Sequence, residues 1–67
     1  MKITLNNRPE SFDLKQLTVA ELLVQKNYTF KMLVIKVNGK LIKKDQYDCF
    51  NIQDGDNVTV LHLVSGG

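Results

Sequence analysis

Helical periodicity occurs in one short segment of this chain, while the other apolar stretches mostly alternate as strands do. Thr18 and Glu21 have the spacing of a capping box, in which each side chain accepts a hydrogen bond from the other residue's backbone N–H. Leu17 and Leu22 fall at the two positions of a hydrophobic staple, and Asn27 suits the end of a helix. The sequence therefore predicts one short helix, with an apolar face formed by Val19, Leu22 and Leu23 and extended by Lys26.

Two strand-patterned segments precede this helix and predict a hairpin. Ile3 and Leu5 alternate with polar residues, and residues 6–9, Asn-Asn-Arg-Pro, have the composition of a turn. Phe12 and Leu14 then alternate with polar neighbours. We expect the return strand of the hairpin there.

A second hairpin is predicted after the helix. Residues 33–37 are rich in β-branched side chains, and residues 40–42 form the return strand. Asn38-Gly39 between them is a strong signal for a type I′ turn, because that turn needs two residues at positive φ. Residues 43–50 have no clear period; we expect a short helical turn or irregular crossing that buries Tyr47 or Phe50, followed by a turn at residues 53–56.

The last predicted strand, residues 58–64, is apolar on both faces. Alternation places Val58, Val60 and Val64 with His62 on one face, and Leu61 and Leu63 with Thr59 on the other. Such a strand is expected in the middle of a sheet, with the helix on one side. The other side is covered either by loops or by a partner protein, so Leu61 and Leu63 are candidate partner-binding residues. Val64 and Ser65, which lead to the terminus, are further candidates for partner binding.

The element order predicts an α+β fold of the β-grasp, or ubiquitin-like, type. A mixed sheet of about five strands would carry the one helix on one face, with the first and last strands side by side in the middle. We expect a single domain over residues 1–67, ending in a flexible Gly66-Gly67 tail.

Composition excludes several classes of function. The net charge of +2 is low for a nucleic-acid-binding domain, and no apolar run is long enough for a signal peptide or a membrane span. One cysteine and one histidine exclude an internal disulfide and the usual zinc sites, which favours a reducing, cytoplasmic location. The cluster of Lys40, Lys43 and Lys44 is either a solvated face or a docking surface for an acidic partner.

Catalytic residues are not evident in the sequence. Cys49 and His62 could form a nucleophile and base, but no third residue is marked to orient the histidine. We expect Cys49 to be a small buried hydrophobic residue and His62 to be structural or partner-facing. Asp54-Gly55-Asp56 supplies too few oxygen ligands for calcium and is interpreted as a turn, so no metal site is predicted.

The Gly66-Gly67 terminus is the feature with the clearest chemical use. At an average glycine frequency of about 7%, this pair is expected by chance on the order of once in 200 sequences, so alone it is a weak signal. A carboxylate must be activated, for example as an acyl adenylate, before a nucleophile can displace its oxygen. Two residues without a β-carbon can thread a narrow channel to an enzyme that performs this activation.

Four stretches together resemble the ThiS family, the sulfur carriers of thiamine biosynthesis, over essentially the whole chain. They are Thr18-Val19-Ala20-Glu21-Leu22-Leu23, Val37-Asn38-Gly39-Lys40-Leu41-Ile42, Gln53-Asp54-Gly55-Asp56 and Val64-Ser65-Gly66-Gly67. The chain differs at Lys43-Lys44, where many members carry Pro-Arg, and Ser65 replaces a smaller alanine or glycine.

The resemblance implies a carrier that is a cosubstrate and not an enzyme. An activating adenylyltransferase would use ATP to adenylate the carboxylate of Gly67, and Gly66 would be needed for access to that site. A persulfide donor such as a cysteine desulfurase would convert the adenylate to a thiocarboxylate, which would give its sulfur to thiazole synthase. No cofactor bound to the carrier itself is implied.

Four alternatives share parts of this pattern. The small subunit of molybdopterin synthase has the same tail and fold, and so do carriers of other sulfur pathways and protein modifiers that end in Gly-Gly. These differ in the acceptor, which this sequence does not contain. A ubiquitin-like binding module with incidental glycines would keep its function without Gly66-Gly67.

Overall fold

The computed structural model describes residues 1–28 and 32–62. Within these ranges, nine short elements are described, seven of them strands. They are β1 (Lys2–Leu5), β2 (Arg8–Ser11), β3 (Leu17–Thr18), α1 (Val19–Gln25), β4 (Leu33–Val37), β5 (Lys40–Ile42), a 3₁₀ helix (Lys44–Gln46), β6 (Asn51–Ile52) and β7 (Asn57–His62).

Five of the strands form one mixed sheet in the order β2-β1-β7-β4-β5. The first strand, β1, and the last, β7, lie side by side and parallel, whereas every other pairing in this sheet is antiparallel. The last strand is therefore central, as its two apolar faces predict. The predicted β-grasp arrangement of a mixed sheet with one helix is confirmed.

Both hairpins of this sheet close with a two-residue turn whose residues have positive φ. In the second hairpin Asn38 and Gly39 have φ angles of 53° and 82°, so the predicted type I′ geometry is confirmed. In the first hairpin Asn6 and Asn7 have φ angles of 52° and 66°. Asparagine is among the few residues other than glycine that tolerate this region, so the chain reverses within two residues.

The prediction for the return strand of the first hairpin was wrong by several residues. Arg8 already pairs with Leu5, so the turn does not extend to Pro9, and β2 ends at Ser11. Pro9 lacks an N–H, but β2 is an edge strand, where a missing donor is tolerated. Phe12, expected within the strand, lies just beyond it and is half-buried.

Helix α1 begins at the predicted capping box. The backbone N–H of Thr18 donates to Glu21 Oε1 at 2.9 Å, and the N–H of Glu21 donates to Thr18 Oγ1 at 3.1 Å. Leu17 and Leu22, the predicted staple pair, are both fully buried. These local contacts fix the angle at which the helix leaves β3.

The helix ends in a Schellman motif centred on Asn27, which has a φ of 57°. The N–H of Tyr28 donates to Leu23 O at 2.8 Å, and the N–H of Asn27 donates to Val24 O at 3.1 Å. Asn27 therefore ends the helix as predicted. On the predicted apolar face of the helix, Val19 and Leu22 are buried against the sheet and Leu23 is half-buried beside them.

The segment after β5 contains the predicted helical turn, formed by the 3₁₀ helix. Tyr47 and Phe50 are half-buried against the core, so burial there is partial. Their carbonyl oxygens accept hydrogen bonds from the N–H groups of Ala20 (2.9 Å) and Val19 (3.1 Å), in the first turn of α1. A second, two-stranded sheet of β3 and β6 follows, which the sequence did not predict.

The core lies between α1 and the five-stranded sheet. Its fully buried side chains include Leu22 on the helix and Ile35 and Val58 on the two central strands. The opposite face of the sheet is not covered by another element among the described residues, and Leu41 and Leu61 are 53% and 49% exposed there. The fold therefore leaves one sheet face open.

Candidate functional site

Strand β7 leads in sequence to the Gly66-Gly67 terminus, and its faces are oriented as predicted. Val58 is fully buried and Val60 is 8% exposed, whereas Leu61 points to the open face and is 49% exposed. His62, the last described residue of the chain, is exposed and stands opposite Leu33 of β4. The alternation seen in the sequence thus separates a core-facing side of β7 from an open one.

Leu61 belongs to a small apolar area, the open-face patch, formed by Val34, Leu41 and Leu61. Val34 and Leu61 are directly opposite each other on β4 and β7. Leu41 on β5 is opposite Lys36, which is two residues after Val34 on β4. Leu41 is therefore a diagonal neighbour of Val34 on the same face. The patch places three apolar side chains on the open face near the end of β7.

The described charge next to the open-face patch is positive. Lys36 lies on the same face between Leu41 and Thr59, whereas Lys2 of β1 lies at the opposite end of the sheet, level with the turn before β7. Of the described strand residues on this face, none is acidic. A partner that covers the patch would therefore match it best with an apolar surface bordered by carboxylates.

The other predicted site residues lie outside the described residues. These are Leu63, Val64, Ser65, Gly66 and Gly67. Lys40, Lys43 and Lys44 are described and all three are exposed, which agrees with both a solvated face and a docking surface.

A hydrogen-bonded link that the sequence did not predict holds β7 shortly before its end. Strand β1 ends at Leu5, and the N–H of Asn6 donates to Val58 O at 2.9 Å. The side chain of Asn6 then accepts a hydrogen bond from the N–H of Val60, with 2.8 Å between Oδ1 and N. The sequence indicated that Asn6 belongs to a turn. It did not indicate that the Asn6 side chain bonds to Val60, which is 54 residues away.

Cys49 does not form part of a buried site, and the prediction that it is buried was wrong. It is exposed in the turn that follows the 3₁₀ helix, and its thiol contacts Gln46 O at 3.6 Å. Cysteine is often buried, but a surface turn accepts any small side chain. The residue type of Cys49 therefore did not indicate that it is exposed. Within residues 1–28 and 32–62, no cluster of three or more histidine, cysteine or acidic residues could hold a metal ion.

A cleft of about 430 Å³ lies on the helix side of the first hairpin, lined in part by Asn6, Arg8 and Tyr28. Across it Lys26 Nζ donates to Glu10 Oε1 at 2.8 Å, and both side chains are about one-third exposed (30% and 31%). This hydrogen bond raises the pKa of Lys26 above its ordinary value of 10.5, against a smaller desolvation effect. The ion pair connects the end of α1 to the edge strand β2.

Comparisons with known proteins agree with these features. The family model of the ThiS family matches residues 3–67. A crystal structure of the thiamine biosynthesis protein ThiS from Geobacter metallireducens has a TM-score of 0.89 and 29% identity, with 100% of both chains covered. A solution structure of a thiamine biosynthesis protein from the same organism has a TM-score of 0.81 and 29% identity, covering 100% of this chain and 88% of the other.

The search of curated proteins found no match. No helix among the described residues is long and apolar enough to cross a membrane.

Proposed function

Because this chain belongs to the ThiS family of small sulfur carriers, we propose that the carboxylate of Gly67 is its reactive group. A partner adenylyltransferase transfers AMP from ATP to this carboxylate and releases pyrophosphate. The terminal sulfur of a persulfide, supplied by a donor such as a cysteine desulfurase, then displaces AMP and forms an acyl disulfide. A second thiol attacks the donor's sulfur of that S–S bond, which releases the thiocarboxylate and leaves the donor in a disulfide. Thiazole synthase takes the sulfur from it in the cytoplasm, and the carrier itself binds no cofactor.

The observation that supports this proposal most is the position of β7. The strand that leads to Gly67 is central in the sheet, with neighbours β1 and β4 on its two edges. The segment 63–67 after it spans at most roughly 17 Å when extended, at about 3.4 Å per residue. We call residues 63–67 the arm. Because the arm is short and follows a strand held on both edges, its terminal carboxylate can enter a partner's active site while the domain stays outside.

The open-face patch supports a docking role for the residues around the arm. Leu61, with Val34 and Leu41, offers an apolar contact next to Lys36. We propose that the adenylyltransferase covers this patch and that Leu63, Val64 and Ser65 contact the entrance of its channel. Binding through the domain would hold the arm in place while its last residue reacts.

The test is accurate intact-mass measurement after incubation with the adenylyltransferase, ATP, a persulfide donor and a thiol that cleaves the acyl disulfide. We expect exchange of one oxygen for sulfur, which fragmentation places at Gly67, and no exchange in a variant that lacks Gly67. The Cys49→Ser background removes one source of oxidation, since an added oxygen has nearly the same mass as this exchange. Omitting ATP is the matched control.

Absence of exchange with a partner set that is active on another carrier would overturn the proposal. The acceptor is tested next, with the thiocarboxylated protein offered to thiazole synthase or to the large subunit of molybdopterin synthase. Sulfur transfer to thiazole synthase is expected. Transfer to the molybdopterin enzyme alone would keep the carrier chemistry and reassign the pathway.

A further inference from the structure

Asn6 lies where β1 leaves the sheet while β7 continues past it. The printed pairs of these parallel strands end with Leu5 opposite Val58. Asn6 then turns away with a φ of 52°, so its own backbone carbonyl does not continue the ladder. Its side-chain oxygen does, because Oδ1 accepts from the N–H of Val60 at 2.8 Å.

This side-chain bond supplies the acceptor on one edge of β7. Along a strand, backbone polar groups point alternately to the two neighbours. Val58 O bonds toward β1, through Asn6 N, and Asn57 bonds toward the β4–β5 turn, through Asn38. Val60, two residues after Val58, also points toward β1, where the backbone strand has already ended. Since Val60 is only 8% exposed, its N–H would have little access to water without Asn6.

We propose that Asn6 is a positioning residue for the activation of the C-terminal carboxylate. The bond to Val60 holds the β1 edge of β7, and the pairing of His62 with Leu33 holds the β4 edge. With both edges fixed, the segment after β7 starts from a defined point and direction. This inference rests on the proposed function, because it concerns how the arm is presented to the adenylyltransferase.

Among the described residues, loss of the bond leaves β4 as the strand that pairs with β7 near its end. The strand then samples more directions, and docking has to restrict them again at a cost in affinity. In the complex the arm occupies the partner's channel in wild type and variant alike, even if it samples more directions in the free variant. We therefore expect an effect on KM and little effect on kcat.

The experiment compares three full-length variants. Asn6→Gly keeps a residue that accepts positive φ and removes the acceptor. Asn6→Asp keeps both the acceptor and tolerance of this conformation. Asn7→Gly is the matched control, since Asn7 has a φ of 66° in the same turn and no side-chain hydrogen bond among the described residues.

Two measurements are made on each variant. Amide hydrogen exchange at Val60, followed by NMR, reports the bond itself. ATP–pyrophosphate exchange with the adenylyltransferase reports KM and kcat for the carrier. For Asn6→Gly we expect exchange at Val60 about tenfold faster, KM about fivefold higher and kcat within about twofold of wild type. Asn6→Asp and Asn7→Gly should remain close to wild type in both.

Either of two results with Asn6→Gly would overturn the inference and leave the proposed function intact. Unchanged exchange at Val60 in Asn6→Gly would show that the bond does not hold the strand. Faster exchange with an unchanged KM would make Asn6 a structural residue only. If wild type itself supports no pyrophosphate exchange with an enzyme active on another carrier, the proposed function fails, and this positioning role fails with it. The amide measurement then still reports separately whether the bond holds β7.

Discussion

Asn38 and Asn57 exchange two hydrogen bonds where the second hairpin meets the start of β7. The N–H of Asn38 donates to Asn57 O at 2.7 Å, and the N–H of Asn57 donates to Asn38 Oδ1 at 2.8 Å. The Asn38 side chain also donates from Nδ2 to Asp56 Oδ1 at 3.1 Å, in the turn before β7. Asn38 therefore fixes the start of β7, as Asn6 holds its later part.

The first prediction concerns this link. Asn38→Gly keeps the positive φ of the turn but removes both side-chain hydrogen bonds, so we expect a loss of about 1–2 kcal/mol in the free energy of unfolding. Urea denaturation followed by circular dichroism measures it. Asn7→Gly, at a turn position without such bonds, should stay within about 0.5 kcal/mol of wild type. Equal stability of the two variants would contradict the role assigned to Asn38.

A second prediction separates docking from folding at Leu61. Because this side chain is half-exposed on the open face, Leu61→Asp should leave the protein folded and weaken binding to the adenylyltransferase by about tenfold or more. Isothermal titration calorimetry measures the affinity, and thermal unfolding checks the fold. Val24→Asp, at a valine 78% exposed on the helix, is the matched control and should bind as wild type does. If the partner docks on the helix face instead, Val24→Asp would weaken binding and Leu61→Asp would not.

A third prediction follows from the ion pair between Lys26 and Glu10. The pKa of Lys26 is raised above 10.5 in the folded protein, so this pair stabilises the fold below that pH and loses its contribution as pH rises through the folded pKa. Wild type should lose stability above about pH 10.5 more steeply than Glu10→Gln, in which Lys26 has no carboxylate partner. The urea midpoint is compared at about pH 9 and about pH 11.5.

Apart from the side chain at position 10, the two proteins of that comparison are identical, including Tyr28 beside Lys26. The difference between wild type and variant therefore isolates the pair. Parallel pH profiles for the two proteins would show that the Lys26–Glu10 contact does not contribute to folding.

A fourth prediction tests the exposure of Cys49. Because its thiol lies at the surface, a disulfide reagent such as 5,5′-dithiobis(2-nitrobenzoate) should label native protein at a rate within about tenfold of the urea-unfolded protein. Absorbance of the released thiolate measures the rate, and Cys49→Ser should give none. If the reagent labels Cys49 only in the unfolded protein, the thiol is buried, as its residue type had suggested.

Features encoded by neighbouring residues could be predicted from the sequence. The capping box at Thr18, the Asn38-Gly39 turn and the helix end at Asn27 each depend on a few adjacent side chains, and each is where the sequence placed it. The orientation of Leu61 followed from strict alternation along one strand. Even the central position of β7 could be predicted, since a strand that is apolar on both faces needs neighbours on both edges.

Features that depend on distant residues could not be predicted. Strands β3 and β6 have two residues each, too few to show any period, and they exist because Leu17 pairs with Ile52. The exposure of Cys49 depends on how the chain crosses after β5, which its residue type does not encode. The bond from Asn6 to Val60 joins residues 54 positions apart, and nothing in the local sequence of either indicates the other.

The parallel pairing of β1 with β7 also bears on when this chain can fold. Thr4 finds its partner only at Asn57, so the middle of the sheet cannot close until nearly the whole polypeptide is available. On a ribosome, a nascent chain that stops before β7 has no central strand to join β1 to β4, and its seven-residue helix is too short to be stable alone. Prematurely terminated products would thus lack the folded domain together with the terminal glycines, and such unfolded chains are substrates for proteases.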